Sequence, residues 1–428
     1  MKRVGFLCNK MLNKELIKRV IEDSAKGKHK RPDVQKALEN IEKTVDKIYD
    51  LVLHDSYVPT KPHNVTIHDQ SSNKLRVIGV VPFYPDGIMH RLVTEVMKPV
   101  LMRGMYAHSC ASIPNRGNAH ASRYLKKALK HRTNSKYCAK LDIKQYYPSL
   151  KPKNVIKALS RKIKDKKFLD LVYRIISSNS ENQEGMTIGF YINQWLANFY
   201  LEPLDHAIIA MDGVVSYVRN MDDMILLGRN KKKLHRAVDT IRWILRDMGL
   251  QLKENWQVFK VDSRGIDFVG YVFHHGYTTL RKRNFLKLTK QSRRLYKYKR
   301  NHKNISFHQA AGLISRTGQL VHCDGANIKN AYLDKGVRIR TLKKIIRRHN
   351  KYLRDKDLKI RCILKIKWKY HNHGLSDKQL SDIADELVEK INEKHRLIRQ
   401  QKRKYKYKYK KPKWRKFLVR EKKKKVKW

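Results

Sequence analysis

The chain has 428 residues, and 97 Lys and Arg against 38 Asp and Glu leave a formal net charge of +59. Self-repulsion on that scale works against a compact chain unless a polyanion lies beside it, which argues against a stand-alone metabolic enzyme and for nucleic acid. A hydrophobic fraction of 41 % suffices for a real core and excludes wholesale disorder; at about 150 residues per domain, two to four substructures are expected. An anionic membrane surface would also explain the charge, but the sequence has no amphipathic or lipidated anchor for it. Cys8, Cys110, Cys138, Cys323 and Cys362 are odd in number and widely spaced, with no Cys-x-x-Cys, which disfavours a disulfide framework and a zinc ribbon. No apolar run approaches the ~18 residues of a membrane span, and none makes a signal-peptide core. A cytoplasmic protein with no membrane partner is expected.

Residues 10–55 read as two amphipathic helices broken at 26–32. Asp33 would cap the second, which carries Val34, Leu38, Ile41, Val45, Ile48 and Leu51 at helical spacing. Residues 57–75 read as loop or strand, the run from Leu75 as a strand, 88–102 as a helix and 119–131 as a basic helix. Strand signals return at 137–143, 214–219 and 224–227. A long helix fits 230–248, ended by Gly249, and a strand pair fits 266–280. Beyond 285 nearly everything reads as basic helix. The stretch 401–428 alternates Lys with aromatics and has Glu421 as its only acid, so it cannot fold unaided. It reads either as a solvated basic tail or targeting signal, or as a nucleic-acid tail, with lysines on phosphates and Tyr405, Tyr407, Tyr409 and Trp414 stacked on unpaired bases.

The chemistry lies in scarce acids. Lys140-Leu-Asp-Ile-Lys-Gln-Tyr-Tyr147 ends an apolar strand in a carboxylate, and Ser216-Tyr-Val-Arg-Asn-Met-Asp-Asp-Met-Ile-Leu-Leu227 places Asp222 and Asp223 between two apolar runs, as at a hairpin tip. Each alone is an ordinary strand end or turn. Together they gather like charge, which is unfavourable unless cations neutralise it. Two Mg²⁺ roughly 3.5–4 Å apart would do so, clamping the attacking and leaving oxygens of phosphoryl transfer.

With Gly185-Met-Thr-Ile-Gly-Phe-Tyr-Ile-Asn-Gln-Trp-Leu-Ala-Asn-Phe-Tyr-Leu-Glu-Pro-Leu-Asp205 between the two acid sites, the sequence resembles a prokaryotic reverse transcriptase. Arg76-Val-Ile-Gly-Val-Val-Pro82 and Ser109-Cys-Ala-Ser-Ile-Pro-Asn-Arg-Gly-Asn-Ala-His120 resemble its fingers motifs. Gly249-Leu-Gln-Leu-Lys253 and Ile266-Asp-Phe-Val-Gly-Tyr271 resemble its later palm motifs, so that the likeness spans roughly 35–335. The middle block is similar to that of diversity-generating retroelement enzymes, and unclassified and antiphage-defence enzymes share much of the pattern.

The resemblance implies an α+β right-hand polymerase with fingers, a ferredoxin-like palm and a helical thumb. Its parts would be an N-terminal helical extension (1–75), fingers and palm (76–284), a basic helical thumb (285–400) and the tail (401–428). It implies that Asp142 and Asp222 bind two Mg²⁺, or Mn²⁺ in their place, with Asp223 assisting. Tyr147 would be the steric gate against a ribonucleotide 2′-hydroxyl. Gly189 and Gln194 would line the nascent base pair, Ile143 would belong to the nucleotide site, Arg76 would hold the triphosphate, and Phe268, Gly270 and Tyr271 would form the primer grip. Partners would be dNTPs, a structured noncoding RNA template, a DNA primer or product, and a protein partner or second copy of the chain.

The pattern departs from the family at Asn220 before the Met-Asp-Asp, at Gly87 after Asp86, at Asn193, and at Trp256, where many members carry a Lys taken as general acid. Lys253 could substitute from another angle. P-loop, zinc-protease, nuclease and nicotinamide signatures are absent, and His274-His275 reads as an ordinary loop pair. The function expected is RNA-directed DNA polymerase in antiphage defence. The alternatives are retroelement diversification, a catalytically silent RNA-binding scaffold, and an RNA-synthesising polymerase, against which the bulk of Tyr147 speaks.

Overall fold

The computed structural model describes residues 2–69, 74–179, 185–369 and 376–408. Four helices open the chain: α1 (Leu7–Met11), α2 (Lys14–Ala25), α3 (Pro32–Glu39) and α4 (Ile41–Leu53). The second amphipathic helix expected from the sequence is therefore two, because Asn40 leaves helical geometry and its side chain caps α4 by accepting from the Lys43 amide. Asp33 is not the cap. Arg31 holds that position ahead of Pro32, and Asp33 sits in the first turn, where a carboxylate suits the helix dipole.

The 57–75 segment contains a strand: β1 (His63–Asp69) pairs antiparallel with β2 (Lys74–Val80). A lone two-stranded ribbon is marginal in water. This one, exposed along most of β1, is tied at its base. The Gly79 N–H donates to the Ile188 carbonyl at 2.9 Å, and the Asn179 amide donates to both Asn64 Oδ1 and Thr187 Oγ1. Next come α5 (Ile88–Met102) and the basic helix α6 (Asn118–Leu129).

β3 (Tyr137–Asp142), β4 (Ser216–Asn220), β5 (Asp223–Gly228) and β6 (Gln257–Lys260) form one antiparallel sheet in the order β4-β5-β3-β6. Met224 to Leu227 are all buried, so β5 is covered on both faces, as its unbroken apolar run requires. Between β3 and β4 the chain forms α7 (Tyr146–Ser149), α8 (Pro152–Ser160), α9 (Lys166–Ser177), α10 (Tyr191–Tyr200) and α11 (Glu202–Ala210). After β5, α12 (Lys231–Asp247) packs on the sheet through Leu234, Val238, Ile241 and Leu245, and the Asn230 side chain caps it. One continuous buried cluster runs from Leu7 on α1 to Leu250 beyond α12, so the first helices and the sheet share a core.

After α13 (Val261–Arg264), three strands appear where a pair was expected: β7 (Ile266–Phe268), β8 (Tyr271–Phe273) and β9 (Thr278–Leu280), antiparallel in that order. Strands of three residues are too short to show a period in sequence.

The chain divides into two compact units, Met1–Phe285 with Gln319–Gly325, and Leu286–Gly318 with Ala326–Trp428. The first is α+β, as expected. The second is helical, containing most of α14 (Lys282–Arg300), then α15 (Phe307–Thr317), α16 (Ala326–Lys329), α17 (Ile339–Lys369) and α18 (Asp377–Lys408). A Ser306/Gln309 capping box starts α15, and Leu380, Ala384 and Val388 of α18 pack with Leu358 of α17. The side chains of Tyr405 and Tyr407, and Tyr409 and Trp414 entirely, lie outside the described residues. Among the described residues no helix is long and apolar enough to cross a membrane.

Candidate active site

Asp142 is the last residue of β3 and Asp223 the first of β5, and the two are direct partners in register. Asp222 lies in the two-residue turn between β4 and β5, with Met221 in the left-handed region at φ 61°. Asp142 and the distant Asp222-Asp223 doublet are thus brought to one end of two paired strands.

Burial pushes the Asp222 carboxyl up to about 6, and the adjacent Asp142 carboxylate adds to the rise. Burial pushes Asp223 up to about 7; Asp142 and Asp222 add to this, while Lys140 and Arg281 oppose it. Asp223 Oδ1 is buried with no hydrogen-bond partner. The Lys253 ammonium lies 2.5 Å from Asp142 Oδ1, an ion pair without hydrogen-bond angles, and the Lys253 amide donates to the Asp142 carbonyl at 2.8 Å. The structure therefore puts a lysine at the carboxylates from position 253. Trp256 instead packs edge-on against His235 of α12.

The hairpin tip is held from below by residues the sequence reading passed over. Arg219 is fully buried; its Nε and Nη2 fork onto the Asp205 carboxylate at 2.7 and 2.6 Å, and its Nη1 donates to the Met221 carbonyl at 3.0 Å. Asn198 accepts two further bonds from the guanidinium, and the Tyr217 hydroxyl donates to Asp205 at 2.7 Å. Burial alone would disfavour the Arg219 charge; the Asp205 carboxylate more than reverses that and raises its pKa. The signal in sequence was an arginine two residues from Tyr217 on one face of an apolar strand. Beside β4, the Cys110 amide donates to the Arg219 carbonyl and the Arg219 amide to the His108 carbonyl, so the 108–110 segment extends the sheet edge.

Of the other expected residues, Tyr147 comes to this end. Its hydroxyl donates weakly to Met221 Sδ at 3.8 Å, and burial, followed by the Asp222 charge, holds the phenol well above its ordinary pKa. The Ile143 amide donates to the Asp222 carbonyl at 3.3 Å, which ties the two acid segments together. Gly189 has φ 117°, and a Cβ there would stand 2.5 Å from the Gly79 carbonyl oxygen, so glycine is required where this loop meets β2. Gln194 lies on α10, where its carbonyl accepts from the Asn198 side chain. Arg76 is exposed on β2 and pairs with Asp69 across the ribbon at 3.0 Å. Asp86 is buried and accepts from the Tyr57 hydroxyl at 2.7 Å and the Thr60 amide at 2.9 Å, a scaffold contact. Phe268 and Tyr271 are buried partners in β7 and β8; the turn between them is Val269 and Gly270, both at positive φ. That turn is pinned through the Gly270 carbonyl, which accepts from the Arg281 amide and the Asn284 side chain, each at 3.1 Å. Lys140 reaches from β3 to the Asp267 carbonyl at 2.6 Å, joining this small sheet to the carboxylate end.

Among the described residues no three His, Cys, Asp or Glu groups converge as a ready chelate. Hard carboxylate oxygens, one of them orphaned, fit Mg²⁺ all the same, because that ion takes one or two carboxylates and completes its shell with water and phosphate oxygens.

Residues 65–273 match the family model for Reverse transcriptase (RNA-dependent DNA polymerase). Protein YkfC of Escherichia coli (strain K12) is 25 % identical over 220 residues, 49 % of this chain and 52 % of that protein, so the chain spans about half the length of the curated relative it matches. Apo telomerase from Candida tropicalis is similar with a TM-score of 0.40 at 15 % identity, over 56 % of this chain and 53 % of that one. Telomerase from Candida albicans, solved with a fragment of telomeric RNA, gives 0.42 at 14 % identity, over 76 % and 62 %. The family match covers the paired strand ends with all three carboxylates, and over residues 65–273 the chain carries a domain of the reverse transcriptase family.

Proposed function

We propose that the chain copies a bound structured RNA into DNA by two-metal nucleotidyl transfer at Asp142, Asp222 and Asp223. The observation that carries this reading is the register of β3 and β5, which stacks these acids at one strand end with a buried oxygen left unpartnered. When bound there with a dNTP, two Mg²⁺ would stabilise charge developing on the attacking and leaving oxygens. Lys253 pairs with Asp142 and would turn towards the triphosphate. Tyr147, packed on the hairpin tip, would close the space that a 2′-hydroxyl needs, while Ile143, Gly189 and Gln194 would border the base pair. Arg76 would exchange Asp69 for a phosphate. With Phe268 and Tyr271 buried, the primer would meet the backbone of the Val269-Gly270 turn rather than the rings. The large basic C-terminal region favours an enzyme that carries its own RNA, as in antiphage defence, over retroelement diversification.

The test is to purify the protein with its bound nucleic acid, supply dNTPs and Mg²⁺, and sequence both the RNA and any DNA made. DNA complementary to one co-purified RNA is expected, falling about 10³-fold or more in Asp222→Ala/Asp223→Ala protein. RNA retained without DNA from either protein would support the silent scaffold instead.

A further inference from the structure

The His274-His275 pair divides into two different tasks. His275 is buried, with Nε2 3.1 Å from Ser135 Oγ and Nδ1 2.6 Å from Asp262 Oδ1, and so locks the β8–β9 turn to the loop after α6. His274 faces the other way. Its ring lies so close to Gly265 that a Cβ there would meet it at 2.5 Å, and Tyr277 stacks upon it with centroids 4.4 Å apart and planes 11° off parallel. The turn is closed by the His274 amide, which donates to the Tyr277 carbonyl at 2.9 Å. Gly265, His274 and Tyr277 are thus layers of one built stack, and Tyr277, the last layer, is 51 % exposed.

This stack borders a cavity of about 410 Å³, whose wall includes Lys126, Lys130, Arg132 and Asp324. Asp324 is already engaged: its carboxylate accepts from the Thr278 amide at 2.7 Å and its own amide donates to the Thr278 carbonyl at 2.8 Å. Among the described residues none of the three cations is in an ion pair, so their charge is available to a ligand. An aromatic ring presented flat on a rigid base, with unpaired cations around it, matches a π-face joined to phosphates. A duplex hides its base faces and does not fit.

We infer that this recess binds an unpaired nucleotide of a single strand, its base stacked on Tyr277 and its phosphates on Lys126, Lys130 and Arg132. The strand is either template RNA or DNA product, which share this chemistry. The inference deepens the proposed function by giving the strand an anchor made of other residues than the carboxylates, and it stands or falls separately because binding here needs no catalysis.

The test uses full-length Asp222→Ala/Asp223→Ala protein. Short single strands carrying one 4-thiouridine (RNA) or 4-thiothymidine (DNA) are photo-crosslinked to it, and the adducts are mapped by mass spectrometry. An adduct on the peptide containing Tyr277 is expected from one or both strands, competed by unlabelled single strand and not by duplex. Adding Tyr277→Ala should weaken single-strand binding about ten-fold, with Tyr277→Phe close to the parent. Lys126→Ala/Lys130→Ala should weaken it too, and flatten its salt dependence. Adducts confined to other segments while the strand is bound, or single-strand affinity untouched by Tyr277→Ala, would overturn the assignment. The crosslink on the parent protein reads the site whatever the folding of any variant.

Discussion

Lys253 stands 2.5 Å from Asp142, where three clustered carboxylates create a need for positive charge. On the proposed mechanism it also sits where a proton donor to the leaving group is wanted. Lys253→Met should then lower kcat about 10²-fold with a smaller change in KM for dNTP; a loss confined to KM in steady-state kinetics would reduce it to a binding residue. His90 offers a test of the core at the same scale. Burial lowers its pKa to about 4, its Nε2 has no hydrogen-bond partner, and its ring lies against Phe190 at 4.7 Å. The unfolded chain accepts a proton that the folded chain refuses, so stability is full above the ordinary histidine range and is lost as pH falls towards about 4. Going from pH 7 to 5, His90 should cost about 2 kcal/mol, read by urea denaturation as the extra slope that His90→Leu removes.

The β4–β5 hairpin shows how an element can depend on a charge pair inside the core. Asp205 and Arg219 are both fully buried, and the guanidinium also holds the carbonyl of Met221 at the tip that carries Asp222. Removing one partner strands the other without solvent. Asp205→Ala should cost about 3–5 kcal/mol in chemical denaturation and displace the tip, so that activity falls further than the folded fraction does. Equal losses of fold and activity would show that the pair only stabilises. The acids at the tip were legible in sequence because they interrupt apolar runs. Their support was not: Asp205 and Asn198 lie 14 and 21 residues from Arg219, and no local pattern reports which distant groups will be buried together. Asn40 is a similar case, since the apolar spacing runs unbroken through it and the cap it makes for α4 is a three-dimensional choice.

For the whole molecule the dominant quantity is a net charge of +59. If that charge holds RNA by displacing counterions, binding should fall steeply and linearly in log affinity against log salt, losing about 10³-fold or more between 50 and 200 mM. Filter binding alongside thermal melting should show RNA leaving before the protein unfolds. Affinity flat across that range would mean that the RNA is held by something other than phosphate contacts.

Composition by itself argues for a polyanionic partner, because net charge is a sum that folding cannot change. Motif order was enough to announce the reverse transcriptase domain and to single out three acids at strand ends, because the strands that carry them have unmistakable apolar runs. Folding alone set Lys253 against Asp142 while Trp256 packs on His235, and turned Phe268 and Tyr271 inward with the turn between them half-buried. It also decided that His274 and Tyr277 share one recess with Lys126 and Lys130 at the end of α6. These outcomes depend on register, turn geometry and distances between segments far apart in the chain, which become physical quantities only when the core is assembled.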